Sequence, residues 1–116
     1  MTRLVEVKLA ARSYPIHIGD GLLEQLPALL NRASGSRFAI VTNTTVAALY
    51  LEKLLAALGS CGTVVEPIVI PDGEAHKTIE TWAGVHDQLL GARLDRKSMI
   101  VALGGGVVGD IAGFAA

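Results

Sequence analysis

The stretch Ser98 to Ala116, SMIVALGGGVVGDIAGFAA, constrains the fold more than any other part of the chain. A continuous apolar run, Met99 to Leu103, breaks into three consecutive glycines, and an apolar segment opening with Val107 and Val108 follows. That order reads as buried strand, tight turn and helix start. Glycines at such a turn allow positive φ and let a ligand approach the backbone closely. The helix beyond them offers unpaired N–H groups and the positive end of its dipole, which suits a phosphate. Gly104-x-Gly106-x-x-Gly109 also has the glycine spacing of a dinucleotide-binding turn. The same glycines can do no more than close a corner, so the motif takes its weight from the rest of the chain.

That rest supplies alternating strands and helices. Val5, Val7 and Leu9 alternate with Glu6 and Lys8, as in a half-buried strand, and Tyr14, Ile16 and Ile18 repeat the pattern after a turn near Ala10 to Ser13. These two segments read as an antiparallel pair, with His17 on the face opposite Tyr14, Ile16 and Ile18. Asp20-Gly21 introduces a turn, and a helix is expected to start near Pro27. Ser36 to Val41 reads as a strand covered on both faces. Val46, Tyr50, Leu54 and Leu58, widened by Leu51 and Leu55, mark the next helix. Gly62 to Ile70 is a further strand. Ile79, Trp82, Ala83, His86 and Leu90 share a helix face, where Trp82 is expected as core and His86 as a satisfied core histidine. Arg93 to Lys97 makes a charged turn into the last strand. The repeated βα order predicts an α/β fold: a Rossmann-like parallel sheet flanked by helices, with an N-terminal antiparallel strand pair.

A chain of 116 residues is at most one domain. The net charge of −1, without a basic run, gives no sign of a nucleic-acid or membrane-surface partner. A single cysteine, Cys61, fits a reducing compartment. No signal peptide and no apolar run long enough to span a bilayer is present, so a soluble cytoplasmic protein is expected.

In such folds the ligand lies beyond the carboxyl ends of the strands. Three strand ends here deliver Asn43, Thr44 and Thr45, then Asp72, Gly73, Glu74, Ala75, His76 and Lys77, then Gly104 to Asp110. Plain readings exist for most of them. Asn43 to Thr45 can cap a helix, Asp72-Gly73 can form a turn, and Glu74 suits a helix start. Lys77 fits less well, because a cation in the first turn of a helix opposes the dipole. A bound anion or a carboxylate partner would account for it. Asp110 is expected in the first turn of the last helix, where the dipole favours it without any ligand.

PDGEAHKTIET, followed by ALGGGVVGDIAGFAA, resembles the amino-terminal half of 3-dehydroquinate synthase, and YPIHIGDGLL and VTNTTVAALY resemble it too. The resemblance implies NAD and a divalent metal, zinc or cobalt, as cofactors. It implies conversion of 3-deoxy-D-arabino-heptulosonate 7-phosphate, a phosphorylated sugar acid, to 3-dehydroquinate plus phosphate in the shikimate pathway. It also implies a homodimer. Carried over by position, Asn43, Thr44 and Thr45 match the adenosine-side loop. Asp72, Gly73, Glu74, Ala75, His76 and Lys77 match the DGExxK cofactor segment, with Ala75 and His76 at its variable positions. Gly105, Gly106, Val107, Val108 and Gly109 match the pyrophosphate turn and helix start, and Asp110 the acidic residue towards the nicotinamide. The family's chain is roughly three times as long, and its helical second half carries the metal ligands. Residues 1–116 are thus expected to be a truncated N-terminal NAD-binding domain, inactive alone, without catalytic or metal-ligating residues of its own. Alternatives are another sugar-phosphate cyclase, a metal-dependent polyol dehydrogenase, which usually has serine where Val107 stands, and a non-catalytic nucleotide-binding module.

Overall fold

The computed structural model describes residues 2–30, 36–94 and 98–116. The strands there are β1 (Thr2–Val7), β2 (Tyr14–Gly19), β3 (Ser36–Asn43), β4 (Gly62–Val64), β5 (Ile68–Ile70) and β6 (Met99–Leu103). The helices are α1 (Leu26–Leu29), α2 (Thr44–Gly59), α3 (Ile79–Gly91) and α4 (Gly106–Ala115). Pro27 lies in the first turn of α1, where its missing N–H costs nothing.

β3 organises the parallel sheet. It pairs with β6 from Phe38 to Thr42, and its other edge carries both β4, at Ser36 to Phe38, and β5, at Val41 to Asn43. β4 and β5 are therefore two halves of one interrupted strand, not the single run Gly62 to Ile70 expected from sequence. Val65, Glu66 and Pro67 stand opposite only Ala39 and Ile40. Pro67 has no N–H to give the ladder, and the extra residue bulges the strand. Val65 still donates its N–H to the Phe38 carbonyl at 2.9 Å.

Because β4–β5 and β6 flank β3 on opposite edges, the two right-handed crossovers run in opposite directions. Their helices fall on opposite faces. On one, Leu54 and Leu58 of α2 pack with Phe38 and Ile40; on the other, Val85 and Leu89 of α3 and Val108 and Ile111 of α4 pack with Ala39 and Val41. β3 is thus buried on both faces, as its sequence predicts. It also runs past the expected end at Val41 to include Thr42 and Asn43. The reversal of direction leaves a crevice at the carboxyl ends of β3 and β6, where open α/β sheets hold ligands.

Several faces differ from the sequence patterns. Tyr50 is exposed and off the buried stripe of α2, which centres on Leu54 and Leu58. In α3 the buried positions are Val85 and Leu89, while Ile79 and Leu90 face outwards. Ile79 is the first residue of the helix and is 77% exposed. β1 and β2 pair in antiparallel register, Val5 with Ile16 and Val7 with Tyr14, and His17 lies opposite Leu4 on the other face. The pair was expected to be half-buried, yet Leu4, Val5, Tyr14, Ile16 and Ile18 are all exposed. Of the expected charged turn, residues 95–97 lie outside the described residues, and Arg93 has a positive φ of 55°. Among the described residues no helix is long and apolar enough to cross a membrane.

The two-faced core sets a measurable contrast. Leu54→Ala should cost about 2–5 kcal/mol by leaving a cavity. Leu49→Ala, at a position 62% exposed, should stay within about 0.5 kcal/mol. Chemical denaturation of both variants checks the difference, and equal losses would contradict the assigned face of α2.

Candidate functional site

Hydrogen bonds tie the strand ends around the crevice together. Thr42, fully buried, donates its hydroxyl to the Leu103 carbonyl at 2.7 Å, joining the end of β3 to the residue before the glycines. Asn43 caps α2: its Oδ1 accepts the Val46 N–H at 2.8 Å. The Asn43 Nδ2 donates to Asp72 Oδ1 at 3.3 Å, and the Thr45 hydroxyl donates to Asp72 Oδ2 at 2.7 Å. Thr44 opens the same helix and is exposed.

The segment after β5 turns on Gly73, whose φ of 117° is reserved for glycine. Glu74–His76 form one 3-10 turn, and the Thr78 side chain caps α3 by accepting the Thr81 N–H. Lys77 therefore stands just outside α3 rather than in its first turn, as the sequence suggested. Its Nζ lies 2.8 Å from Asp110 Oδ2 and 3.9 Å from Glu74 Oε1. The hydrogen bond and charge of Asp110, helped by the charge of Glu74, raise the Lys77 pKa above the ordinary lysine value. Asp110 is likewise not in the first turn of its helix, because α4 already begins at Gly106. Its observed partner is Lys77, not the helix dipole. Ala75 and His76 are exposed on the 3-10 turn.

Of the consecutive glycines only Gly104 uses positive φ, at 153°. A Cβ there would meet Val108 Cγ2 at 2.9 Å. Gly105, Gly106 and Gly109 have nothing within 4 Å of a Cβ position, so their exposed backbone faces open space. α2 and α3 begin with side-chain caps, whereas α4 has only Gly105 at that position, and among the described residues no side chain caps its first turn. The first intrahelical bond of α4 runs from Gly109 to Gly105, which leaves the N–H groups of Gly106, Val107 and Val108 without helical partners. These groups fit a phosphate. Val108 contributes only its backbone, since its side chain is buried in the core, and Val107 packs against the same cluster.

Beside the Lys77–Asp110 pair lies a cavity of about 410 Å³, walled by Thr78, Ile79, Trp82, Ile111 and Phe114. Trp82 stacks on His86 with ring centroids 5.3 Å apart and meets Phe114 at 5.1 Å. It is half-buried against the core and also lines the cavity. His86 departs from expectation, because its buried Nδ1 has no hydrogen-bond partner. The sequence assigned no site role to Thr42, Thr78 or Phe114. Thr42 left one signal, a hydroxyl ending an apolar strand. Among the described residues no group of three or more His, Cys, Asp and Glu side chains is placed to hold a metal ion.

Comparison with known proteins gives the chain its relatives. The family model for the N-terminal part of 3-dehydroquinate synthase matches residues 67–116, which include both the Asp72–Lys77 segment and the glycine turn. The 3-dehydroquinate synthase of Pseudomonas putida (strain W619) is 54% identical over 97% of this chain. Residues 67–116 thus match the N-terminal part of the 3-dehydroquinate synthase family, and nearly the whole chain is similar to one of its members. It spans 30% of the length of that relative. The 2-epi-5-epi-valiolone synthase of Streptomyces hygroscopicus subsp. jinggangensis 5008, solved with NAD+ and Zn2+ bound, superposes with a TM-score of 0.75. It is 35% identical over 98% of this chain and 31% of its own. A 2-deoxy-scyllo-inosose synthase complexed with carbaglucose-6-phosphate, NAD+ and Co2+ has a TM-score of 0.85 at 23% identity, a likeness of fold. There the match covers 98% of this chain and 31% of the other. The expected α/β sheet with its antiparallel strand pair is thus the architecture found.

Two outcomes follow from the site's geometry. Gly104→Ala should destabilise by about 1–3 kcal/mol through overpacking against Val108, whereas Gly105→Ala should leave the melting temperature nearly unchanged. Thermal melts of both variants test this. For Lys77, a folded pKa above the unfolded one makes the pair's contribution present through the ordinary lysine range and lost as pH rises through the raised value. NMR titration should show Lys77 charged beyond the ordinary range, and Asp110→Asn should bring it back. An unchanged titration in that variant would remove Asp110 as the cause.

Proposed function

We propose that this chain is the N-terminal NAD-binding domain of a 3-dehydroquinate synthase, which converts 3-deoxy-D-arabino-heptulosonate 7-phosphate to 3-dehydroquinate and phosphate in the shikimate pathway. One observation carries the reading: Asp110 and Lys77 come from different strand ends and meet at 2.8 Å beside the glycine turn. The N–H groups of Gly106 and Val107, with Gly105 giving close approach, would hold the pyrophosphate. Asn43, Thr44 and Thr45 would line the adenosine side, the Asp72–Lys77 segment would flank the cofactor, and Asp110 would lie towards the nicotinamide. When bound, NAD supplies reversible hydride acceptance. The protein's part is to orient it and exclude water, with Lys77 held charged by Asp110 and Glu74.

The metal, zinc or cobalt, would be held by residues of the complete protein outside these 116, and most substrate contacts would lie there as well. We place the protein in the cytoplasm as a homodimer. A second reading, a related sugar-phosphate cyclase, is favoured by the 35% identity to the valiolone synthase, but the 54% identity to the Pseudomonas putida relative outweighs it.

The test is phosphate release from the heptulosonate phosphate by the complete protein, supplied with NAD and metal. Turnover should occur with that substrate, and residues 1–116 alone should give none, because positioning needs both walls of the site. Lys77→Ala should lower kcat/KM by roughly tenfold or more without unfolding the protein. Wild-type kinetics in that variant would retire its assignment, and turnover only with another seven-carbon sugar phosphate would favour the second reading.

A further inference from the structure

Resting on that reading of the site, we propose that Asp72 is a positioning residue that does not touch the nucleotide: its carboxylate sets the hydrogen-bond polarity of Asn43 and Thr45, so that Thr45 faces the adenosine as an acceptor. An ionised carboxylate only accepts, and here one oxygen takes the Asn43 Nδ2 and the other the Thr45 hydroxyl. Asn43 cannot flip its amide, because its Oδ1 is already bound to the Val46 N–H. A flipped amide would set oxygen against carboxylate and N–H against N–H. Thr45 has a single hydroxyl hydrogen, and it is committed to Asp72. Only its lone pairs remain for a ligand, and they suit a group carrying a hydrogen, such as a ribose hydroxyl or the adenine amino group.

The backbone on both sides keeps Asp72 in place. Pro71 fixes its own φ before it, and Gly73 turns the chain at a φ of 117° after it. Asp72 follows β5, whereas Asn43 and Thr45 flank the β3–α2 junction, so the carboxylate also locks two strand ends into one register. Asparagine at position 72 would keep the shape and break the polarity. Its amide could accept from only one of the two donors, and its own N–H would face the other. If that other is Thr45, the hydroxyl hydrogen turns outwards and the position becomes a donor.

Binding of NAD+ to the complete protein, measured by calorimetry, tests the proposal. Asp72→Asn should weaken Kd by roughly tenfold. In steady state it should raise the KM for NAD+ similarly, with kcat within about twofold, a split that general loosening of the fold would not give. The deciding arm is a background of Asn43→Ser and Thr45→Val, which keeps an oxygen for the helix cap and removes both donors. There, Asp72→Asn should change Kd by less than about twofold, because a residue acting through others loses its effect with them. A further tenfold loss in that background means direct contact and overturns the proposal. Wild-type affinity in the single variant overturns it too. Asp72→Ala repeats both arms without an amide, and circular dichroism verifies that each variant is folded. Absence of NAD+ binding by the unmutated protein would retire the cofactor reading itself, a separate failure visible before any variant is compared.

Discussion

Pairing of β3 on both edges is the constraint on which the rest depends. Phe38, Ala39, Ile40 and Val41 are fully buried, with helices covering both faces. A strand so enclosed must be the middle of the sheet, and chain leaving it towards β4–β5 must return past it to reach β6. Right-handed crossovers then put α2 and α3 on opposite faces and open a crevice between the ends of β3 and β6. The buried Thr42 hydroxyl, held by the Leu103 carbonyl, keeps those two ends together where the glycine turn begins.

Polar residues around the crevice satisfy one another in two separate groups. Asn43, Thr45 and Asp72 form a hydrogen-bonded set on the β5 side, and Glu74, Lys77 and Asp110 an ionic set towards α4. The two groups are joined through Gly73, whose positive φ lets a short segment serve both. Exposed ion pairs add little to stability, so the ionic set is better understood as placing a charged lysine beside the helix start. The first turn of α4 begins four residues before Asp110 and has no side-chain cap of its own.

Much of this could be read from the sequence, for local reasons. Strand, glycine turn and helix at Met99 to Ala115 follow from neighbouring residues, as does the cap at Asn43. What stayed hidden depended on distant residues. The Asp72 bridge joins positions 27 and 29 residues apart, and composition says nothing of such pairs. The break in the strand near Pro67 is visible only against the register of β3. Ile79 and Leu90 fit a helical stripe, yet the sheet lies under Val85 and Leu89 instead. Alternation in β1 and β2 marks faces suited to burial without saying what would cover them, and among the described residues nothing does.

The central claim is that three strand ends make one dinucleotide site around the first turn of α4. A crystal structure of the complete protein grown with NAD+ tests it most directly. The account predicts the pyrophosphate on the N–H groups of Gly106 and Val107, the adenosine towards Thr45, and the nicotinamide towards Asp110. NAD+ bound elsewhere, with the glycine turn facing only solvent, would contradict it.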